Sequence, residues 1–400
     1  MILNGTILSA SSFIKKSCVF SGVNNIFSNI STVMIYISLF MKDVLSQYIN
    51  NSVLYFILGF GLISGLMSIA YRAKVLSSFS TFTTLYLAIC FWSASALFLQ
   101  YLNFSAYYLA IPIAFILANQ NVKLFLILIY FHFTISILIQ AFEYANGYYV
   151  FTYIADTGID FSEKLFGGHA EVMRSKGLFQ GPLSAVAFAL WMAIFSRMEI
   201  RTTVMLFISA FLASGRLGML VATIFILIHF LNARNVFSIR KFMLGMIIFS
   251  VFVFGVIISS QAKLDFIMAA LNFETAQNLS RLDMWLKSFN VFIEYNAIHS
   301  LFGDYEAMRE NYFSTENDYF GILLNGGFFL FLIYLVGLFY IFKHFVFRLS
   351  IKHVLIPFLV ASLMFAFPFL QSLPMGVLFW VFVFMLIIQK ENNTNYYRGL

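Results

Sequence analysis

The sequence predicts an all-α, polytopic integral membrane protein with about twelve transmembrane helices and two long loops on one side of the bilayer. Three observations predict it. The 400 residues are 61% hydrophobic and only 10% charged, where a soluble domain is about a quarter charged. Apolar runs of membrane-spanning length recur from Ile26 to the C-terminus. The basic residues collect on alternate connections, as the sidedness of a multi-span protein requires.

The runs cover 26–41, 52–71, 75–102, 105–118, 122–142 and 180–196, then 202–214, 217–231, 242–260, 318–342, 353–371 and 373–389. The whole chain, 1–400, reads as one transmembrane domain. In the second run Gly61 and Gly65 stand four apart, a helix-packing signal. The sixth opens with Gly181-Pro182, and proline suits the first turn of a helix. Placing the N-terminus in the cytoplasm puts fifteen basic residues, from Lys15 and Lys16 to Lys390 and Arg398, on one side. Only two acids, Glu199 and Glu391, share it, and the other side keeps nine basic residues and fifteen acids. The positive-inside rule then sets both termini in the cytoplasm. The net charge of +7 is therefore topology and not a nucleic-acid footprint.

The segment 202–231 needs a break. Read as one span, it would put the RMEIR cluster and Arg234 on opposite sides and invert every later loop. A hairpin with its tip at Ser214-Gly215-Arg216 keeps the asymmetry. Its first arm of about 13 residues reaches roughly 20 Å, short of the ~30 Å hydrocarbon core. The tip then lies below the outer surface, where Arg216 needs a polar cavity or an anionic partner.

Two long loops, 143–179 and 261–317, mix acids, bases and aromatics, and loops of that length are mostly functional. The first ends in HAEVMRSKGLFQGPLSA, with Arg174 and Lys176 ahead of the helix at Gly181-Pro182. A helix N-terminus attracts anions. The second holds SRLDMWLKSFNVFIEY, an amphipathic helix by the spacing of Leu282, Trp285, Leu286, Phe289, Phe292 and Ile293. Ser280 with Asp283 resembles a capping box, which puts Arg281 in the first turn against the helix dipole. The loop closes with YFSTENDYFGILLNGG, where Glu316 and Asp318 sit at a helix start. They suit capping, or a general base beside a cationic site. Charged residues thus mark three outward helix starts, at Gly181, Gly215 and Asn317, as a multiply charged anion requires. Arginine fits because its fork grips phosphate oxygens and stays charged.

Other chemistries lack their motifs. The sequence has no HExxH, Walker loop, GxSxG or strand-placed GxGxxG. The six histidines are scattered, so no metal is expected. Cys18 and Cys90 are far apart and suggest no disulfide or zinc site. Lys15 and Lys16 precede no cleavable signal core. No internal repeat points to an inverted-repeat transporter.

The order of motifs resembles the O-antigen polymerase and ligase superfamily, and most the Wzy-type polymerases. It runs RSKGLFQGP before a helix, ASGRLGM at a hairpin, RLDMW leading to LFGD, then ENDYFGILLNGG. The likeness covers roughly Arg174 to Gly327, together with span count and loop sizes. It implies a bacterial inner-membrane glycosyltransferase that needs no metal or cofactor. Such enzymes move a glycan from undecaprenyl pyrophosphate to a sugar hydroxyl at the periplasmic face. By motif position Arg174, Arg216 and Arg281 bind the pyrophosphate, with Lys176 beside them, and Arg216 stabilises the departing charge. The ligases carry a histidine near the Asn-x-Tyr segment, whereas this chain has Glu316, the candidate base. Asn317, Asp318 and Tyr319 are the expected acceptor contacts. A single displacement would invert the anomeric centre. The expected partners are the undecaprenyl-pyrophosphate-linked oligosaccharide, membrane lipid and a chain-length regulator protein. The alternatives are a lipid-linked glycan ligase, disfavoured by the missing histidine, and a flippase or transporter of the repeat unit.

Overall fold

A computed structural model describes residues 22–73, 106–151, 174–231, 276–304, 317–345, 351–366, 369–370 and 372–398. All regular structure among them is α-helical: α1 (Gly22–Phe40), α2 (Lys42–Leu45), α3 (Asn51–Ala73), α4 (Ala106–Ala118), α5 (Val122–Asn146), α6 (Pro182–Phe195), α7 (Ile200–Leu212), α8 (Arg216–Leu231), α9 (Ala276–Ile293), α10 (Ala297–Phe302), α11 (Asp318–Phe345), α12 (Ile351–Ala366) and α13 (Leu373–Arg398). Each predicted run that falls on described residues contains a helix, though the run 353–371 is helical only to Ala366 and bends at 369–370. The runs 75–102 and 242–260 lie outside them, as does Glu316.

Three helices are long and apolar enough to cross a membrane by length and composition, at Asn51–Ala70, Val122–Asn146 and Asp318–Phe345. Of the twelve expected crossings, only these reach full length among the described residues. Others are shorter apolar helices, such as α6 with 14 residues and α7 with 13.

The chain divides into two compact units, His132–Leu282 and a second built from Met1–Phe131 with Asp283–Leu400. In the latter, α1 lies on α3, α4 on α13, and α10 and α12 on α11. The predicted glycine pair does close helices together: a Cβ on Gly65 would stand 2.3 Å from Ile116 and 2.6 Å from the Ser31 hydroxyl. Tyr334 stacks on Phe379 with centroids 5.5 Å apart and donates its hydroxyl to the Tyr107 carbonyl at 3.0 Å.

α11 breaks at Gly327, whose φ of 65° and ψ of −173° suit only glycine. The turn after α10 meets the break backbone to backbone. A Cβ on Gly327 would overlap Leu301, and one on Gly303 would overlap Asn325 and Gly326. The carbonyls freed by the break find donors there. Asp304 N–H donates to Leu324 O at 2.8 Å, and the Tyr108 hydroxyl lies 3.0 Å from Gly326 O and 2.8 Å from Phe302 O. The LFGD and NGG motifs are thus two halves of one joint.

In the unit His132–Leu282, α6 is apolar around its axis and enclosed beyond its first turn, with Ala185 through Ile194 each at most 2% exposed. The segment 202–231 is two helices, as the charge argument requires. α7 ends at Leu212 and α8 begins at Arg216, and both pack on α6.

One expectation is corrected. The helix carrying Trp285 starts at Ala276, so Ser280 lies inside α9 and is not its cap. Arg281 falls in the second turn. The dipole conflict inferred for it does not arise, because that effect fades beyond the first turn.

Candidate functional site

The hairpin tip sets the geometry in the unit His132–Leu282. α7 terminates by the double hydrogen bond of a left-handed cap: Ser214 N–H reaches Phe211 O, and Gly215 N–H reaches Ala210 O. Ser214 takes the left-handed position, at φ 54°, where glycine is usual. Glycine comes one residue later for a different reason. A Cβ on Gly215 would lie 2.5 Å from Val186, and one on Gly218 would lie 2.7 Å from Val186 and 2.8 Å from Ala210. These two glycines bring the hairpin against α6. Arg216 follows as the first residue of α8.

The segment RSKGLF covers this tip. Ser175 N–H donates to Leu212 O at 3.1 Å, and Arg174 Nε donates to Ala213 O at 3.5 Å. The fold therefore brings Arg174 to the turn that leads into Arg216. The carbonyl end of α7 is a favourable seat for a cation. Burial pulls the Arg174 pKa below its ordinary value, and Tyr149 opposes that shift.

This segment is no solvated loop end. Ser175 through Phe179 are buried, and Lys176 is only 3% exposed. They lie on a polar stripe of α5: His132, Ser136, Gln140 and Glu143 are all buried, one helical turn apart. Glu143 Oε2 accepts the N–H groups of Lys176 at 2.9 Å and Gly177 at 3.0 Å, and Oε1 accepts that of Val150 at 3.1 Å. Gln140 accepts the Ser209 hydroxyl at 2.9 Å and donates to Ser175 O at 3.5 Å, which joins the segment to α7. Gly177, at φ 61°, has no room for a Cβ over Ser136. The Lys176 ammonium lies 5.1 Å from the centre of the Tyr149 ring and acts electrostatically on Glu143. Burial first, and Glu143 second, raise the Tyr149 pKa.

Sequence reasoning missed Glu143 because the apolar run ends at Phe142, while the helix continues to Asn146. The signal was present. His132, Ser136, Gln140 and Glu143 recur at helical spacing inside an otherwise apolar stretch.

The residues expected near the acceptor lie in the other unit, and each has partners inside the protein. Asn317 Oδ1 accepts the N–H groups of Tyr319 and Phe320, so Asn317 itself caps α11. Asp318 is fully buried and accepts the Tyr107 hydroxyl at 3.1 Å and Leu370 N–H at 2.8 Å. Tyr319 donates its hydroxyl to Ala361 O at 3.1 Å. In the same unit His299 Nδ1 stands 3.2 Å from Asp304 Oδ2. Among the described residues no group of three His, Cys, Asp or Glu is placed to hold a metal ion.

Comparison with protein-family models, with curated proteins and with solved structures gives no match for this chain.

Proposed function

We propose that the protein polymerises undecaprenyl-pyrophosphate-linked oligosaccharide repeat units, of O-antigen or a related surface polysaccharide, at the periplasmic face of a bacterial inner membrane. One observation carries the reading: Arg174, from a buried segment, reaches the hairpin turn that leads into Arg216. Two arginines of separate motifs, one reaching this turn and the other following it in the chain, support a seat for a phosphoryl anion. In this reading both termini are cytoplasmic, and a separate regulator protein sets chain length.

The chemistry is a single displacement. The acceptor hydroxyl oxygen attacks the anomeric carbon, the bond from that carbon to the pyrophosphate oxygen breaks, and the centre inverts. The lipid pyrophosphate departs with the electron pair. Arg174 and Arg216 stabilise that charge, with Arg281 joining by its motif position. Preorganised cations of this kind are worth about 100-fold or more in rate. The acceptor proton goes to a base, which motif position places at Glu316. No metal takes part in this scheme.

The test is deletion of the gene and electrophoresis of the surface polysaccharide. Lipid A–core bearing a single repeat unit is the expected product. Arg174→Ala or Arg216→Ala, restored to the deletion strain, should give the same pattern with normal protein in the membrane. Core with no repeat unit would point instead to a flippase or ligase, separated by whether single units or finished polymer accumulate on the lipid. An unchanged ladder would overturn the reading.

A further inference from the structure

Two serines stand at the junction of the covering segment and the hairpin. Ser175 is fully buried and Ser214 is 5% exposed. Their backbones are satisfied. Ser175 N–H reaches Leu212 O, Ser175 O accepts from Gln140, and Ser214 N–H reaches Phe211 O. Their hydroxyls are not: neither Oγ has a hydrogen-bond partner among the described residues. Buried hydroxyls without partners are costly, and one at a site calls for an explanation.

Ser214 adds a second cost. It holds the left-handed conformation, at φ 54°, in the cap of α7. Glycine would take that conformation without strain and would leave no buried hydroxyl. Alanine at 175 would likewise leave no unpaired group. Neither hydroxyl contributes a bond to the fold, yet Ser175 bonds the Leu212 carbonyl through its N–H and Ser214 follows Leu212 by two residues, where the two segments join. Arg174 reaches the next carbonyl, that of Ala213. Strain and unmet hydrogen-bonding capacity beside a cation are the marks of a group reserved for a ligand.

We infer that Ser175 and Ser214 are ligand residues, whose hydroxyls donate to the phosphoryl oxygens of an anion held by Arg174. A diphosphate has more oxygens than one guanidinium fork can satisfy, and hydroxyl donors to a charged oxygen make short, strong bonds. The inference rests on the polymerase reading for the identity of that anion as a lipid-linked pyrophosphate. The hydroxyls themselves call for a phosphoryl group, free or lipid-borne.

The sign of the effects makes the test sharp. Ser214→Gly should raise the melting temperature of the purified full-length protein by a few degrees. It should also weaken binding of inorganic pyrophosphate and of undecaprenyl pyrophosphate by about tenfold, measured by thermal shift and calorimetry in detergent. Ser175→Ala should leave the melting temperature unchanged or raised, again with about tenfold weaker binding. A structural role would lower the melting temperature instead. Variants that bind as tightly as wild type, or a Ser214→Gly protein that melts below it, overturn the inference and leave the polymerase reading standing. A wild-type protein that binds neither probe overturns the cationic site itself. Binding of undecaprenyl pyrophosphate alone assigns the site to the lipid-borne group, and equal binding of both probes assigns it to the phosphoryl group alone.

Discussion

Replacing Gly327 with alanine tests the joint between α10 and α11. The new Cβ would stand 2.2 Å from the Leu301 carbonyl carbon, 2.3 Å from its oxygen and 2.3 Å from Phe302 N. These are backbone atoms of a neighbouring helix, so no side chain can swing away. Ordinary contact begins near 3.4 Å, and α10 must therefore retreat by more than 1 Å. The conformation itself, φ 65° with ψ −173°, costs a non-glycine residue about 1–3 kcal/mol. The retreat also opens the Asp304 to Leu324 hydrogen bond and those of Tyr108, at about 1 kcal/mol each. Together the loss is roughly 4–6 kcal/mol. Gly59→Ala is the control, because a Cβ there meets nothing within 4 Å, and within a helix alanine gains about 0.5–1 kcal/mol over glycine. Thermal unfolding of the two purified variants should show a large fall for Gly327→Ala and a small rise for Gly59→Ala. A Gly327→Ala protein that melts with wild type would refute the interlocked joint.

Other substitutions probe the remaining contacts. Glu143→Gln removes the charge that buried Lys176 faces and disturbs the three hydrogen bonds that the carboxylate accepts from backbone N–H groups. It should cost roughly 3 kcal/mol and speed amide hydrogen exchange across 174–178, and unchanged exchange there would show that the carboxylate does not hold the segment. Gly218→Ala should destabilise by about 1–3 kcal/mol through overlap with Val186 and Ala210. Adding Val186→Ala should recover much of that in a denaturation series, and purely additive losses would count against the close approach. Asp318→Ala strands the Tyr107 hydroxyl and the Leu370 amide. A loss of about 2–4 kcal/mol is expected, and protease resistance near wild type would contradict it.

The parts of this fold legible in sequence were those written in local periodicity and charge. Gly181-Pro182 announces α6, and the structure puts proline at its first turn. The basic clusters on either side of 202–231 demanded a hairpin, and the break falls at Ala213 to Gly215. Long-range pairings were not legible. The Tyr107 to Asp318 bond joins residues 211 apart, and nothing near either residue announces the other. The candidate site was half visible. Arg174 and Arg216 stood out as cations beside apolar runs, but Glu143 was hidden by the end of its apolar run. The Gly326-Gly327 pair was noticed as a motif, whereas its work as a helix break depends on the backbone of α10. The expected start of α9 falls after Ser280, later than its true start at Ala276, because Ser280 and Asp283 imitate a cap inside a helix that has already begun.

The polar stripe of α5 bears on how the chain is made. Its first partner along the chain for Glu143 beyond Val150 is Lys176, 33 residues later, and Ser209, the partner of Gln140, comes after 69. At about 5–20 residues per second, the ribosome needs roughly 2–7 s to supply the first and roughly 3–14 s to supply the second. Until then the Glu143 carboxylate has only the Val150 N–H, and the Gln140 amide meets Ser175 O after 35 residues and the Ser209 hydroxyl after 69. Burial of these polar groups in lipid therefore costs less once RSKGLF and α7 have followed than before them.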